Sequence, residues 1–152
     1  MAKVESLIQG SEKLTRIFGY WPSFHDAEVL EVHLLRGDIV PTHGLNEFPI
    51  LTLKIHLWEL TKETDSEGYL VTKHHTQATL RFCDVSDLDL KDFNQQNAIL
   101  QLLLTVQDRS EPPSPYLAVE LVPAFGISAS FKCTRVEVVE ALLCTNDAMP
   151  LN

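Results

Sequence analysis

The sequence predicts a mainly β protein of the α+β class. One N-terminal helix packs on a mostly antiparallel sheet of about seven strands, either strongly curved or closing as a barrel. Three observations predict it. Apolar residues repeat at three- and four-residue intervals only near the start of the chain, and from Ala27 onward the period changes to two. The connections between the alternating stretches are too short to hold the crossover helices that parallel strands require. The chain has 152 residues, is 45% apolar and 22% charged, and so is expected to form a single globular domain over residues 1–152.

Val4, Leu7, Ile8, Leu14, Ile17 and Phe18 fall on one face of a helix over residues 3–18. Gly10 weakens its middle by about 1 kcal/mol relative to Ala, and Gly19 ends it as a C-terminal cap. Pro22 keeps the helix from resuming. In the first strand Leu30, Val32 and Leu34 alternate with Glu31 and His33. The segment from Arg36 to Asn46, with Gly37, Pro41 and Gly44, is a loop. The second strand places Leu51, Leu53, Ile55 and Leu57 on one face and Thr52, Lys54, His56 and Trp58 on the other. Residues 61–68 form a polar turn. A third strand near 74–83 turns Ala78, Leu80 and Phe82 inward and Gln77, Thr79 and Arg81 outward.

Asp84 to Asn97 is less regular and reads as a turn or short helical passage anchored by Val85, Leu88, Leu90 and Phe93. Ile99–Val106 is an uninterrupted, mostly apolar run of strand length, the pattern of a central strand buried on both faces. Pro112, Pro113 and Pro115 mark the next loop. Tyr116–Val122, Ile127–Cys133 and Val136–Leu143 complete the strands, with Pro123-Ala-Phe-Gly126 as a turn. The tail from Thr145 has no periodicity and is expected to fray.

Lys and Arg number 12 and Asp and Glu 21, a net charge of −9 with His neutral. Such a surface repels phosphate backbones and anionic lipid, so neither nucleic acid nor membrane is an expected partner, and a basic protein is. Cys83, Cys133 and Cys144 are odd in number and widely spaced, which fits buried free thiols in a reducing compartment rather than a disulfide or zinc framework. The first residues are acidic and polar where a signal peptide needs an apolar stretch, and the expectation is a soluble cytoplasmic protein. There is no G-x-G-x-x-G, Walker loop or G-x-S-x-G elbow.

The densest polar cluster is Trp21-Pro-Ser-Phe-His-Asp-Ala-Glu28. His25, Asp26 and Glu28 supply the residue types of a base with its orienting carboxylate, or of a metal site. They equally supply the hydrogen-bonding groups of a tight corner. Adjacent residues of an extended chain point to opposite faces, which argues against His25 and Asp26 sharing one ion. A hairpin after the first strand sets His33 opposite His56, with His75 on the following strand. No close His-x-His or His-Glu-x-x-His spacing supports a metal there. No cofactor, metal or catalytic residue is therefore expected.

From Gly19-Tyr-Trp-Pro-Ser-Phe-His-Asp-Ala-Glu28 the chain resembles the immunity protein 50 family of bacterial polymorphic-toxin systems. The likeness continues through Phe82-Cys-Asp-Val85 with Leu88 and Leu90, through Phe93-Asn-Gln-Gln-Asn97-Ala-Ile, and through Gly126-Ile-x-x-x-Phe131-x-Cys133. It spans residues 14 to 140. Trp21, Phe24, His25, Asp26 and Glu28 are its motif positions. The resemblance implies a small, mainly β, non-enzymatic cytoplasmic protein that binds and neutralises a cognate toxin, and it carries over no catalytic residue.

Charge then nominates two docking segments for a basic toxin. Glu63, Asp65 and Glu67 crowd one turn beside Glu59, and Asp84, Asp87, Asp89 and Asp92 crowd the irregular segment. The competing readings are a small hydrolase or metal-dependent enzyme using His25, Asp26 and Glu28, and a small-ligand-binding β module. The oligomeric state is not set by the sequence.

Overall fold

The computed structural model describes residues 7–37, 47–107 and 116–151. Residues 38–46 and 108–115 of the two expected loops, and Val4 of the expected helix, lie outside the described residues. A helix, α1 (Glu12–Phe18), is followed by β1 (Glu28–Leu35), β2 (Ile50–Thr64), β3 (Leu70–Cys83), β4 (Ser86–Lys91), β5 (Ile99–Gln107), β6 (Tyr116–Pro123), β7 (Ser128–Cys133) and β8 (Arg135–Leu143). The strands form two four-stranded antiparallel sheets, in the orders β1-β2-β3-β8 and β4-β7-β6-β5. The fold is thus mainly β and antiparallel, as expected, and of the two alternatives the strands form packed open sheets and not a closed barrel.

The central strands follow their sequence pattern. Leu51, Leu53, Ile55 and Leu57 of β2 and Ala78, Leu80 and Phe82 of β3 are all buried. They face Val119, Leu121, Ala129 and Phe131 of the second sheet within one hydrophobic core. Phe82 meets Phe131 edge-on across the interior, with ring centroids 5.1 Å apart. The chain changes sheets at a corner where Thr134 N–H donates to Cys83 O, beside the buried Cys83 and Cys133.

Several elements depart from the sequence pattern for identifiable reasons. The helix begins only at Glu12, because Gly10 adopts φ +75° and Gln9 pairs with the edge of β8. A side chain at Gly10 would collide with Val138 O, so the close approach of that edge requires glycine. In β1 a bulge between Val29 and Glu31 shifts the register; Val29 is buried, Val32 packs on the core, and Leu34 is exposed rather than inward. The segment after Asp84 contains a true strand, β4, in which Leu88 is exposed and Phe93 beyond it is exposed too. The apolar run Ile99–Val106 is an edge strand and not a central one. The tail does not fray. Leu151 N–H bonds Leu143 O, Thr145 N–H bonds Met149 O, and Gln77 Nε2 donates to Ala148 O.

The two sheets are fastened at Asn97, which is buried. Its Oδ1 accepts from Asn94 N–H at 2.9 Å and Ile127 N–H at 3.2 Å. Its Nδ2 donates to Asn94 O at 2.6 Å and Val29 O at 3.3 Å. Its own N–H reaches Glu28 Oε1 at 2.8 Å, and its carbonyl accepts from Val29 N–H. The start of β1, the turn before β5 and the β6–β7 turn therefore meet on one side chain. Gly126 completes the fit, since a Cβ there would strike Gln96 O and Asn97 Oδ1. Asn97→Ala strips partners from several buried backbone groups, each worth about 1–3 kcal/mol when left unsatisfied. We expect a loss of about 3 kcal/mol or more in urea unfolding. A loss under about 1 kcal/mol would show that the knot is not what joins the sheets.

Candidate functional site

The motif block Gly19–Glu28 is the corner between α1 and β1. Phe24 and Asp26 both take positive φ, 62° and 68°. Asp tolerates that conformation, whereas for Phe it is strained and must be held by packing. Phe24 is buried and meets Trp21 at 5.6 Å in an edge contact, while Trp21 itself is half-buried against the core. Asp26 N–H bonds Ile99 O, and His25 N–H bonds Ser23 Oγ.

Because the chain is not extended here, His25 and Asp26 do not diverge as expected. His25 Nε2 lies 3.6 Å from Asp26 Oδ2, with both side chains about half exposed. His25 Nδ1–H donates to Leu100 O at 3.0 Å. Glu28 is turned away to the Asn97 N–H, so the three polar residues do not converge on one point. His33 is exposed and bonded to Glu31, and its register partner on β2 is Thr52, not His56. Among the described residues no group of three His, Cys, Asp or Glu side chains is placed to hold a metal.

The block lines a cavity of about 410 Å³ together with Leu57–Leu60 of β2. A bulge between Leu57 and Glu59 leaves Trp58 out of register. Trp58 stacks on His75 at 5.7 Å and lies 4.9 Å from His56. His56 Nε2 and His75 Nδ1 are 3.0 Å apart and share a hydrogen bond, and His75 Nε2 bonds the Thr72 hydroxyl. On the cavity rim Glu59 accepts from His74 Nδ1 at 3.0 Å, and that bond holds its carboxyl below the usual range. Partial burial and then the Glu59 carboxylate push the Tyr20 hydroxyl up. The sequence pattern pointed to His56 and His75 only as members of a three-imidazole face. Their real pairing follows from the bulge, which alternation does not encode.

Beyond the cavity, β2 and β3 run on as a two-stranded arm, past the last residues that pair with β1 and β8. The turn is confined to Asp65–Tyr69, where Asp65 Oδ1 accepts from Glu67 N–H and Tyr69 N–H. Asp65 is therefore committed to the turn, while Glu63 and Glu67 are exposed. Beside them stand Leu60, Tyr69 at 68% exposure, and Leu70. The second acidic segment differs. Asp84, Asp87 and Asp92 occupy positive-φ positions that Asp tolerates better than most residues. Asp87 pairs with Lys132 at 3.1 Å and Asp89 with Lys91 at 3.5 Å. All three cysteines are buried and unpaired, and burial pushes the Cys133 thiol up to about 12.

Fold and site together define a small, mainly β protein whose most recognisable polar residues build a corner beside a cavity and a hairpin arm. The chain belongs to the Immunity protein 50 family, whose model matches residues 10–142 of the chain. No curated protein and no solved structure matches it detectably. An immunity protein of this family implies a cognate toxin as its partner.

Two outcomes follow from this geometry. Phe24→Ala should cost about 3–5 kcal/mol in denaturant unfolding, because a fully packed ring is lost at a strained position. The His pair predicts a pH dependence. Burial, and for His56 next the neighbouring His75 charge against a weaker pull from Asp147, hold both imidazoles below their ordinary 6.5. The unfolded chain then binds more protons than the folded one, so this stabilisation is complete above 6.5 and is lost as pH falls through the depressed values. The melting temperature should fall between about pH 7.5 and about pH 5.5, and the His56→Gln/His75→Gln variant should show a shallower fall. An unchanged slope in that variant would place the effect elsewhere.

Proposed function

We propose that this protein neutralises a cognate, basic toxin non-enzymatically in the cytoplasm, by docking the β2–β3 arm and the adjoining motif cavity against it. The arm carries the proposal. It offers what a binding centre needs, an exposed tyrosine and leucines to be desolvated, with uncommitted carboxylates at the rim. Glu63 and Glu67 have no cation partner among the described residues, whereas Asp87 and Asp89 are each held by a lysine. The charge of −9 supplies a long-range field that draws a basic surface inward.

A toxin gene neighbouring this one supplies the partner for the test. Glu63→Lys/Glu67→Lys should slow association several-fold in low salt, an effect that fades as salt rises. Tyr69→Ala should speed dissociation by about 30-fold, the consequence of losing about 2 kcal/mol at a buried aromatic contact. Asp87→Lys/Asp89→Lys should leave both rates near wild type. Arm variants that bind at wild-type rates across salt concentrations would reject this docking surface. A hydrolase reading draws on the His25–Asp26 contact at the cavity mouth. His25→Ala that keeps toxin binding but loses protection would favour it.

A further inference from the structure

We propose that β5 is the docking edge for a second copy of this chain, forming an antiparallel β5–β5′ pair centred on Leu103. The other three sheet edges are blocked or charged. The edge of β8 is occupied by Gln9, which exchanges backbone bonds with Val136 and Val138, and by Lys13 Nζ on Val138 O and Val139 O. The edge strand β4 is short and carries Asp87, Asp89 and Lys91. The edge strand β1 starts against residues 97–99 and carries Glu31 and His33 further on. Charges and coverage of this kind are how soluble proteins keep edges from pairing.

The start of β5 is held by the corner, where Asp26 N–H bonds Ile99 O and Ile99 N–H bonds Ala27 O, but beyond Leu100 this edge strand has none of this. Ile99–Gln107 contains no charged residue and no proline, in a chain that is 22% charged. His25 caps the Leu100 carbonyl. Among the described residues nothing further along, from Gln101 to Gln107, bonds any group but β6. Leu100, Leu103 and Val106 are each about 40% exposed. A strand composed like a buried central strand, lying at an edge, lacks a neighbour among the described residues.

A second copy is the occupant that fits, because the pattern complements itself. With Leu103 opposite Leu103′, Leu102 faces Leu104′ and Gln101 faces Thr105′, all of them beyond the capped Leu100. Every cross-strand pair is then apolar or neutral, the kind that stabilises a ladder. Leu102 and Leu104 already pack on the core from the inner face, so the apolar row would run on from one molecule into the other. The contact is isologous, as a two-fold dimer requires. A basic toxin would find no carboxylate along this strand to meet. On β6, Glu120 stands opposite Leu103. Glu120 and its copy would stand three strand spacings apart, roughly 14 Å, beyond the screening length at physiological salt. The paired strands belong to the second sheet, leaving the β2–β3 arm available.

Sedimentation over a wide dilution series should show a reversible monomer–dimer equilibrium, strengthened by salt, which screens the net charge of −9. Leu103→Lys, which sets two ammonium groups face to face, should give monomer at every concentration, with the melting temperature of the dilute, monomeric wild type. Leu88→Lys on β4 should dimerise like wild type. A second variant fixes the register. Leu103→Cys should oxidise to a covalent dimer, since directly opposed residues have Cα atoms about 4.5–5.5 Å apart. Leu100→Cys should not, its copy lying roughly 20 Å away along the strand. The buried native cysteines give little background. A wild-type chain that is monomeric throughout, or a dimer that survives Leu103→Lys, overturns the proposal. A monomer whose Leu103→Lys variant loses the toxin would instead assign the edge to the toxin.

Discussion

The side chain of Asn97 is the constraint on which the remaining architecture depends. Two antiparallel sheets can slide and rotate over an apolar interface, because dispersion and hydrophobic contacts are weakly directional. Hydrogen bonds are directional, and Asn97 uses both ends of its amide to bind backbone groups from three chain segments. A buried amide so fully partnered fixes one geometry, and any slip leaves polar groups unpaired in the interior. Family-motif positions that look unrelated in sequence become one device here. Glu28 caps the Asn97 N–H, and Gly126 makes room for the Asn97 oxygen. Asp26, through its own N–H, ties the corner to Ile99.

From that knot the corner 19–28 is set, and from the corner the wall of the cavity. The strained Phe24 is tolerable because its ring is packed and the backbone on either side is tied down. The β2–β3 arm then starts from a rigid base. A two-stranded hairpin alone is marginal in water. This one is braced by the Trp58–His75–His56 stack, by Phe18 edge-on to His74 at 5.9 Å, and by the Glu59–His74 bond. The same brace carries the pH sensitivity, because two imidazoles sharing one hydrogen bond cannot both be protonated without losing it.

Legibility in the sequence followed the strength of the local signal. The central strands β2 and β3 could be read along their inward faces, because each has one face on the core and alternation encodes that, although His56 on the other face is buried too. Strand β5 has the composition of a central strand yet lies at an edge, because composition reports what a strand can bury and not where the sheet places it. Strand β4 was hidden by its aspartates, three of which, in or beside it, serve backbone conformation and would suit a turn equally well. The helix over 3–18 was cut short by a single residue, Gly10, whose left-handed conformation is dictated by a strand more than a hundred residues away. Of the site, the corner was visible as a dense polar block. The Asn97 knot was visible only as part of a motif, because a buried amide has no periodic signature.

The net charge of −9 does not by itself locate a binding surface, since most carboxylates with a neighbour have been assigned other tasks. Glu31 is held by Lys54, Glu137 by Arg81, Glu47 by Arg135, Asp87 by Lys132 and Asp89 by Lys91. Glu28 and Asp65 accept backbone N–H groups, and Glu59 is bound to His74. A carboxylate already paired has little field left to project and must break a bond to make a new one. Glu63 and Glu67 bear neither burden, and they flank the most exposed tyrosine of the described chain. Steering needs unneutralised charge, and tight contact needs a large apolar ring that can be desolvated at low entropy cost. The arm brings the two within a few residues of each other, on a base held rigid by the interior. That coincidence, more than total charge, separates a docking surface from an acidic one.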